Sequence, residues 1–247
     1  MYPLVLLLIL LSPVIGQAQV TVGSAVSAES SPAASTTVTY NHTIEVDATG
    51  IVVALCERDT NASNFTAGSS TVTVGGVSAT QVTAVQTSDN IIRIPMFYLA
   101  SPSIGTQSIV ANSDTGSDRM IVGSMTVKGA ALSSPLNTAL TASNIGSANA
   151  DISGLASNAN ELAVLVGCVR TSTVTPSPDA TAPVSTEQLD VAHTDATSVR
   201  IFIYTESGAS PTVDMLVDLS ASERWSADAV SIMPPVASGT SIRRRAQ

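Results

Sequence analysis

Short apolar segments alternate with polar, turn-forming segments along most of this chain, and no stretch of useful length repeats at the helical period. The apolar segments are rich in Val, Ile and Thr, whose branched side chains fit a pleated surface. Turn-forming residues fill the breaks, as in DATG at 47–50 and SDTGSD at 113–118. This pattern predicts an all-β protein.

Short strands at regular spacing are typical of a β-sandwich. The pattern predicts strands near 37–46, 50–57, 71–85, 90–99, 107–112, 119–128, 149–154, 161–170, 185–193, 197–205, 212–219 and 225–233. Alternation within them predicts two core faces, one formed by Met125, Val127, Val230 and Ile232 and another that includes Ile201 and Ile203.

The strands fall into two similar series. Residues 91–128 align with 199–233 at a nearly constant offset, and the apolar run that ends at Cys56 matches the one that ends at Cys168. Three further pairs match in this alignment, which are Arg93 with Arg200, Tyr98 with Tyr204, and Arg119 with Arg224. The order of these matches indicates an internal duplication.

A duplicated set of strands that cannot bury its own apolar face is completed by its twin. We therefore expect one β-sandwich domain over 36–235, made of two halves at about 36–130 and 145–235. Two matched halves of four to six strands favour a jelly-roll-like or other Greek-key topology.

The two cysteines, Cys56 and Cys168, occupy matched places in the repeat. In a secreted chain such a pair usually forms a disulfide, which we expect here; the alternative is two buried thiols that act as small apolar side chains.

Residues 1–18 have the features of a cleaved secretory signal, with an apolar run from Leu4 to Leu11 and small residues at Gly16 and Ala18. The alternative is a membrane anchor, but the run is far shorter than the roughly 20 residues that a bilayer span needs. We therefore expect a secreted or surface-located protein without a membrane span after cleavage.

Two terminal segments are predicted to lie outside the sandwich. Residues 19–35 are expected to form a flexible arm that can add a strand to another molecule through Val20 and Val22, or else a disordered tail. Residues 236–247, with Arg243–Arg245, are expected to form a disordered basic tail; a processing site or a contact with an acidic surface are the alternatives.

Four pieces of the sequence carry a resemblance to a known type of module: GGVSATQV, MFYLASPSIGTQSIV, ELAVLVG and WSADAVSIMP. Together they resemble a β-sandwich module of secreted bacterial surface proteins and phage-associated structural proteins, over roughly residues 36–235. The resemblance implies a jelly-roll-like fold and an extracellular adhesive or structural role. It assigns no functional residues.

Composition and motifs argue against several activities. The net charge of −9 disfavours nucleic-acid binding, because phosphates would be repelled. The two histidines, His42 and His193, accompany no serine elbow, and with two cysteines they are too few and wrongly spaced for zinc. We expect no enzymatic activity. Candidate glycosidase carboxylates, interpreted as solvated acids, are Glu57, Glu161, Glu187, Glu206 and Glu223.

Calcium is the one cofactor that the sequence suggests. Asn112, Asp114 and Asp118 crowd one turn, and oxygen ligands at alternate positions can chelate Ca²⁺. The alternative is an acidic, solvated turn.

Three sequons begin at Asn41, Asn61 and Asn64, and they mark candidate glycosylation sites in a secreted protein. Because Ser and Thr are abundant here, chance occurrence is the alternative.

The sequence therefore predicts a non-enzymatic extracellular or surface structural protein, such as a subunit of a filament or another assembly. A carbohydrate- or ligand-binding module and a hydrolase on the same sandwich are the competing hypotheses. Sugar binding needs exposed aromatic rings, and only 3% of the residues are aromatic. Phe97, Tyr98, Phe202 and Tyr204 are expected in the core instead.

Overall fold

The computed structural model describes residues 19–29, 36–59, 70–113, 119–179, 185–195 and 198–236. These residues form β-strands joined by turns, without a helix, so the all-β prediction is confirmed. Among them, no helix is long and apolar enough to cross a membrane. The predicted signal at 1–18 and the Arg243–Arg245 run lie outside the described residues.

We divide the strands into two halves for description. The N-terminal half contains β1 (Thr21–Glu29), β2 (Thr37–Ile44), β3 (Ala48–Arg58), β4 (Thr71–Val74), β5 (Val77–Ser78), β6 (Thr80–Gln86), β7 (Ile92–Ala100), β8 (Gly105–Asn112) and β9 (Arg119–Lys128). The C-terminal half contains β10 (Leu140–Asn149), β11 (Ile152–Ala156), β12 (Leu162–Val169), β13 (Pro176–Pro178), β14 (Thr186–Ala192), β15 (Arg200–Ser207), β16 (Thr212–Met215) and β17 (Val217–Ile232).

Each half forms one large and one small antiparallel sheet. In the N-terminal half the large sheet has the order β1-β9-β3-β7-β6 and the small one β2-β8-β4-β5. In the C-terminal half the large sheet has the order β10-β17-β12-β15-β14, with β13 beside the start of β17, and β11 pairs with β16.

The two large sheets pack face to face and enclose the central core. This core joins Val52 and Met125 of the first sheet to Val166 and Ile203 of the second. The opposite face of each large sheet packs on the small sheet of its own half and forms an outer core. The result is a layered β-sandwich with the central core in the middle.

The predicted core residues are buried together. Six side chains that the alternation placed on two faces all lie in the central core: Met125, Val127, Ile201, Ile203, Val230 and Ile232. The predicted grouping into faces is wrong, because Met125 and Val127 lie on the first large sheet, whereas Val230 and Ile232 lie on the second, on the same face as Ile201 and Ile203.

The middle strands β3 and β12 are covered on both sides, and this explains their unbroken apolar sequences. Val52 and Ala54 point into the central core, whereas Ile51 and Val53 point into the outer core of the N-terminal half. A strand that is buried on both faces has no polar side to alternate with.

Two glycines in these strands make room for aromatic rings. A Cβ atom on Gly50 would lie 1.9 Å from Tyr98 Oη, and one on Gly167 would lie 2.0 Å from the ring of Phe202. Glycine weakens a strand interior. Here that cost is offset by two buried rings that fill the space a side chain would need.

The N-terminal segment differs from the prediction. Residues 19–35 were expected to leave the sandwich as a flexible arm, but Thr21–Glu29 form the edge strand β1, which pairs with β9. Because Ser24 and the neighbouring residues bond to β2 and β9 side chains, the segment is anchored beyond its backbone ladder. Residues 30–35 lie outside the described residues.

Three strand predictions need correction. Strand β10 was not predicted over most of its length, because it is an exposed edge strand with few apolar residues. The predicted strand 71–85 is broken into β4, β5 and β6, since Gly75 and Gly76 turn the chain at positive φ. The predicted strands 212–219 and 225–233 are redivided, because β17 runs unbroken over 16 residues.

Candidate functional site

A disulfide and two ion pairs link the two large sheets at their junction, where the sheets face each other. There Cys56 of β3 and Cys168 of β12 form a disulfide with a Cα–Cα distance of 5.0 Å. Both residues are fully buried in the central core. The predicted disulfide is confirmed, and it joins the middle strand of one half to the middle strand of the other.

Two ion pairs cross the same junction. Arg119, at the start of β9, donates to Asp195 Oδ2 from Nη2 at 3.0 Å and from Nε at 3.1 Å. Arg224 of β17 donates from Nε to Asp89, in the turn between β6 and β7. Each of these four side chains is about a quarter exposed, so water screens both pairs in part.

The environment of Asp89 favours its charged form. Burial alone would raise the pKa of this carboxyl, but the hydrogen bonds from Arg224 and Thr87 outweigh it and lower the pKa. Thr87 Oγ1 donates to Asp89 Oδ1 at 2.7 Å and so holds the carboxylate in place for Arg224.

A buried ion pair lies behind the disulfide in the N-terminal half. Arg93 Nε donates to Glu57 Oε2 at 2.5 Å, and Arg93 Nη2 donates to Ser70 Oγ at 2.6 Å. Ser70 in turn donates to Glu57 Oε1 at 3.1 Å. Arg93 is 3% exposed and Glu57 is fully buried. Such a pair holds strands in register, and loss of either partner would leave a buried charge.

Arg200 has a different acid partner. Its Nη2 donates to Asp190 Oδ2 at 2.6 Å and its Nη1 donates to the Ser172 carbonyl at 2.9 Å. Hydrogen bonding with Asp190 is the main cause of its raised pKa. Asp190 lies on β14, whereas the partner of Arg93 lies on β3, so the two arginines fix different neighbouring strands.

The two sides of the disulfide differ in their side chains. On one side, Leu189 of β14 covers Gly123 of β9, and a Cβ atom on Gly123 would lie 2.7 Å from Leu189 Cδ2. On the other side, β17 turns Ser226 and Asp228 toward the central core, on the face of Val230.

Asp228 is fully buried, and neither carboxylate oxygen has a hydrogen-bond partner in the described residues. Burial raises its pKa well above the ordinary value. Burial on this side of the junction therefore favours the protonated form of the carboxyl.

A polar cluster around His42 ties the small sheet of the N-terminal half to its large sheet. His42 Nε2 is hydrogen-bonded to Ser24 Oγ at 2.9 Å and Nδ1 to Ser124 Oγ at 2.6 Å. Burial lowers the pKa of His42, against an opposing effect of Glu45. Because the ring is 1% exposed and both nitrogens are bonded, the cluster is suited to holding β1 and β2 on β9.

One open cleft of about 510 Å³ lies beside the segment that joins the two halves. Its lining carries no charged side chain and consists of Thr80, Tyr98, Leu99, Ala100, Ser134, Pro135 and Leu136. Burial raises the pKa of Tyr98 to about 12, and its hydroxyl is shielded from solvent. The cleft therefore presents mainly apolar walls.

Of the three predicted calcium ligands, only Asn112 lies in the described residues, so the calcium site stays a prediction. Asn112 lies at the end of β8, where its Oδ1 accepts a hydrogen bond from Thr37 Oγ1 at 2.8 Å. Asp114 and Asp118 lie outside the described residues. In the part of the chain that the structure describes, no cluster of His, Cys, Asp or Glu has the arrangement of a metal site.

Of the predicted glycosylation sites, Asn41 is exposed on β2, and Asn61 and Asn64 lie outside the described residues. Glycosylation stays a prediction.

The interpretation of the glutamates as solvated acids is wrong for three of them. Glu57, Glu161 and Glu206 are buried, at 0%, 4% and 8% exposure. Glu161 accepts a hydrogen bond from Ser231, and Glu206 from Ser185. They lie at strand ends, as the sequence indicated, but neighbouring layers cover those ends.

The four aromatic residues at matched places in the repeat are all buried, as expected. However, Tyr98 faces the central core and Tyr204 faces an outer core, so the two aligned tyrosines do not share a face. Phe97 faces the outer core of its own half, as Tyr204 does in the other half.

The sequence alignment singled out Arg119 and Arg224 but not their partners, Asp195 and Asp89. A signal was present, because these two acids are separated by nearly the same offset as the arginines. Asp228 was also missed, although it is the one acid within the apolar end of the last strand.

Comparison with known proteins gives no match, since no family model, no curated protein and no solved structure is similar to this chain.

Proposed function

We propose that this protein is a non-enzymatic extracellular structural protein, made of two duplicated jelly-roll halves, that serves as a subunit of an assembly. The observation that carries the assembly role is the edge strand β10. It spans ten residues, contains no charged residue and no proline, and exposes Ile145 at 53%. Edge strands in proteins that stay apart are usually short or protected by charge.

The duplication is supported by the order of the strands. The large sheets have the orders β10-β17-β12-β15-β14 and β1-β9-β3-β7-β6, so β10 corresponds to β1, β17 to β9, β12 to β3, β15 to β7 and β14 to β6. The pair β11-β16 corresponds to β2-β8 in the same way. A register shift also recurs at corresponding places, between Gln81 and Thr83 and between Glu187 and Leu189.

Register positions support the same correspondence. Arg93 lies opposite Glu57, the residue after Cys56, and Arg200 lies opposite Val169, the residue after Cys168. The disulfide therefore joins equivalent residues, as a contact on a two-fold axis does.

The jelly-roll topology is supported by the two sheets of the N-terminal half. A jelly roll places its first, eighth, third and sixth strands in one sheet and its second, seventh, fourth and fifth in the other. With β6 counted as an added edge strand, the orders β1-β9-β3-β7 and β2-β8-β4-β5 follow this rule.

An extracellular location agrees with the buried disulfide, since such bonds persist in oxidising compartments. The ligand-binding alternative is favoured by the apolar cleft of about 510 Å³. Its carbohydrate version lacks support from the four repeat aromatics, because Tyr98 is 5% exposed and Tyr204 is fully buried.

Electron microscopy and light scattering of the purified, disulfide-bonded protein test the assembly role. We expect ordered filaments or lattices that Ile145→Lys abolishes, because a charge on β10 blocks strand addition. Val77→Lys is the matched control, since Val77 is 52% exposed on the short strand β5 and its change should leave the assemblies intact. A protein that stays monomeric at all concentrations would contradict the proposal.

A further inference from the structure

The two inner faces at the junction carry different side chains at equivalent positions. Gly123 pairs with Ala54, two residues before Cys56, and Asp228 pairs with Val166, two residues before Cys168. The C-terminal half thus has a carboxyl group at the place where the N-terminal half has no side chain.

The strands that pack against these positions differ as well. Leu189 pairs with Ile203, three residues after Arg200, and Thr83 pairs with Met96, three residues after Arg93. Leucine in the C-terminal half therefore corresponds to threonine in the N-terminal half. In the structure Leu189 occupies the space above Gly123.

These differences decide which faces fit together. Two C-terminal halves would bring Leu189 of each onto Asp228 of the other, at a position where a Cβ atom alone would lie 2.7 Å from the leucine, so the side chains would overlap. Two N-terminal halves would set Thr83 above Gly123 and leave a void where Leu189 now packs. The native pair of unlike halves also buries one Asp228 carboxyl group, but it alone places Leu189 over a position without a side chain.

The ion pairs do not distinguish between these pairings. Each half supplies one arginine and one aspartate, namely Arg119 with Asp89 and Arg224 with Asp195. Any two halves would form both pairs. The choice of partner therefore depends on the packing of Gly123, Leu189 and Asp228, together with Glu29 of β1, which accepts hydrogen bonds across the junction from Thr194 N at 2.7 Å and Thr194 Oγ1 at 2.8 Å.

We propose that the inner face of each half fits the inner face of the other half and does not fit a copy of itself. If the two halves of one chain separate, the surface that fits each exposed inner face is therefore the opposite half of a second copy of this chain. The inference rests on the proposed duplication, because that defines the equivalent positions. Exchange of identical elements between copies is a low-cost route to association.

The connection between the halves has the length for such an exchange. Residues 129–139 join β9 to β10 and can span about 35 Å when extended, whereas packed sheets lie about 10 Å apart. Ala131 and Asn137 donate to β17 and its end, while Ala130 donates to Thr49 of the N-terminal half. Gly129, at positive φ, marks the point where the connection leaves that half.

Single-cysteine chains test the selection. Cys168→Ser and Cys56→Ser proteins are purified reduced, mixed at high concentration and reoxidised, and the linked species are identified by mass. We expect the Cys56–Cys168 dimer of unlike chains to exceed each dimer of like chains by more than about tenfold, because like halves either overlap at Leu189 or leave a void above Gly123.

A further variant makes the test specific. Adding Asp228→Gly to the Cys56→Ser chain removes the carboxyl group. The C-terminal half then has a glycine at the position where the N-terminal half has Gly123, with room for Leu189 of another copy. This chain alone should then form a Cys168–Cys168 dimer, whereas adding Asp214→Gly, an exposed acid on β16, should not have that effect.

If the variants do not fold, the unmodified chain answers the question. A mixture of ¹⁴N- and ¹⁵N-labelled protein is reduced, reoxidised and digested, and we expect Cys56–Cys168 peptides of mixed isotope. Dimers of like chains as abundant as the unlike dimer, or no link between chains in either experiment, would overturn the inference. Neither result depends on β10, so the assembly role is tested separately.

Discussion

The two sides of the central disulfide perform the same task with different side chains. On one side β9 packs against β14 and β15, and a leucine fills the space above a glycine. On the other side β17 packs against β6 and β7, and a carboxyl group without a partner faces the core. The first side is filled by apolar side chains, whereas the second accommodates a polar group. A similar arrangement of strands on the two sides therefore does not fix which side chains the interface contains.

The largest effect is expected at the disulfide, which belongs to both sides. Replacing Cys56 and Cys168 by serine should lower the free energy of unfolding by about 4–5 kcal/mol, because the bond closes a long loop in the unfolded chain. Denaturant titration measures the change, and hydrogen exchange should show added opening on both sides. Opening confined to one side would mean that the disulfide does not support both equally.

Gly123→Asp would give the packed side the carboxyl of the other side. We expect a loss of about 3 kcal/mol, since the new carboxyl is buried beneath Leu189 without a partner. Gly146→Asp is the control, because a Cβ atom there meets nothing within 4 Å. If both variants lost the same small amount in thermal unfolding, the side at Gly123 would not be tightly packed.

Asp228→Asn should make the polar side more stable at neutral pH. Below the unfolded-state pKa, Asp228 is protonated in both states. Above it, only the unfolded state ionises until the raised folded-state pKa is reached, so native stability falls by about 1.4 kcal/mol per pH unit. The variant lacks this decline, so its advantage should grow from pH 3 to pH 7.

Ser226→Ala is the control for this pH dependence. Ser226 shares the buried face and its hydroxyl has no partner among the described residues, but it does not titrate in this range. Its effect in denaturant titrations should be the same at every pH. A flat difference between Asp228→Asn and the unmodified protein would show that Asp228 is ionised in the native state.

The ion pairs should contribute least and equally. Arg119→Gln and Arg224→Gln are each expected to cost less than about 1 kcal/mol, because the pairs are partly exposed. Added salt should reduce both costs. A much larger loss for one arginine would show that the two sides differ in their electrostatics as well as in packing.

The periodicity of apolar residues within strands predicted most of the strands of this fold. It could not predict which side chains of different layers contact each other. The repeat identified Cys56 with Cys168, because each ends an apolar strand that is buried on both faces. It also matched Tyr98 with Tyr204, which do not share a face, since side-chain direction reverses with a shift of one residue. Strand β10 was missed because an exposed edge strand needs no apolar pattern.

The buried acids show why the junction was harder to predict. Glu57 and Asp228 are ordinary carboxylates in the sequence, and their burial depends on the layers that cover them: the outer layer of its own half for Glu57, and the facing large sheet for Asp228. Asp89 and Asp195 lie in turns, where acids are common for local reasons. Their role depends on arginines from the other half, which no pattern within one segment reveals.

The position of the disulfide also has a mechanical meaning. A pulling force applied before β1 and after β17 would pass along the chain to Cys56, through the sulfur–sulfur bond, and on from Cys168. The loop that this bond closes, with a sequence separation of 112, contains β4 to β11 and would carry no tension. While the bond is intact, nearly half of the chain cannot be drawn out, and the extensibility of the molecule depends on the strands outside that loop.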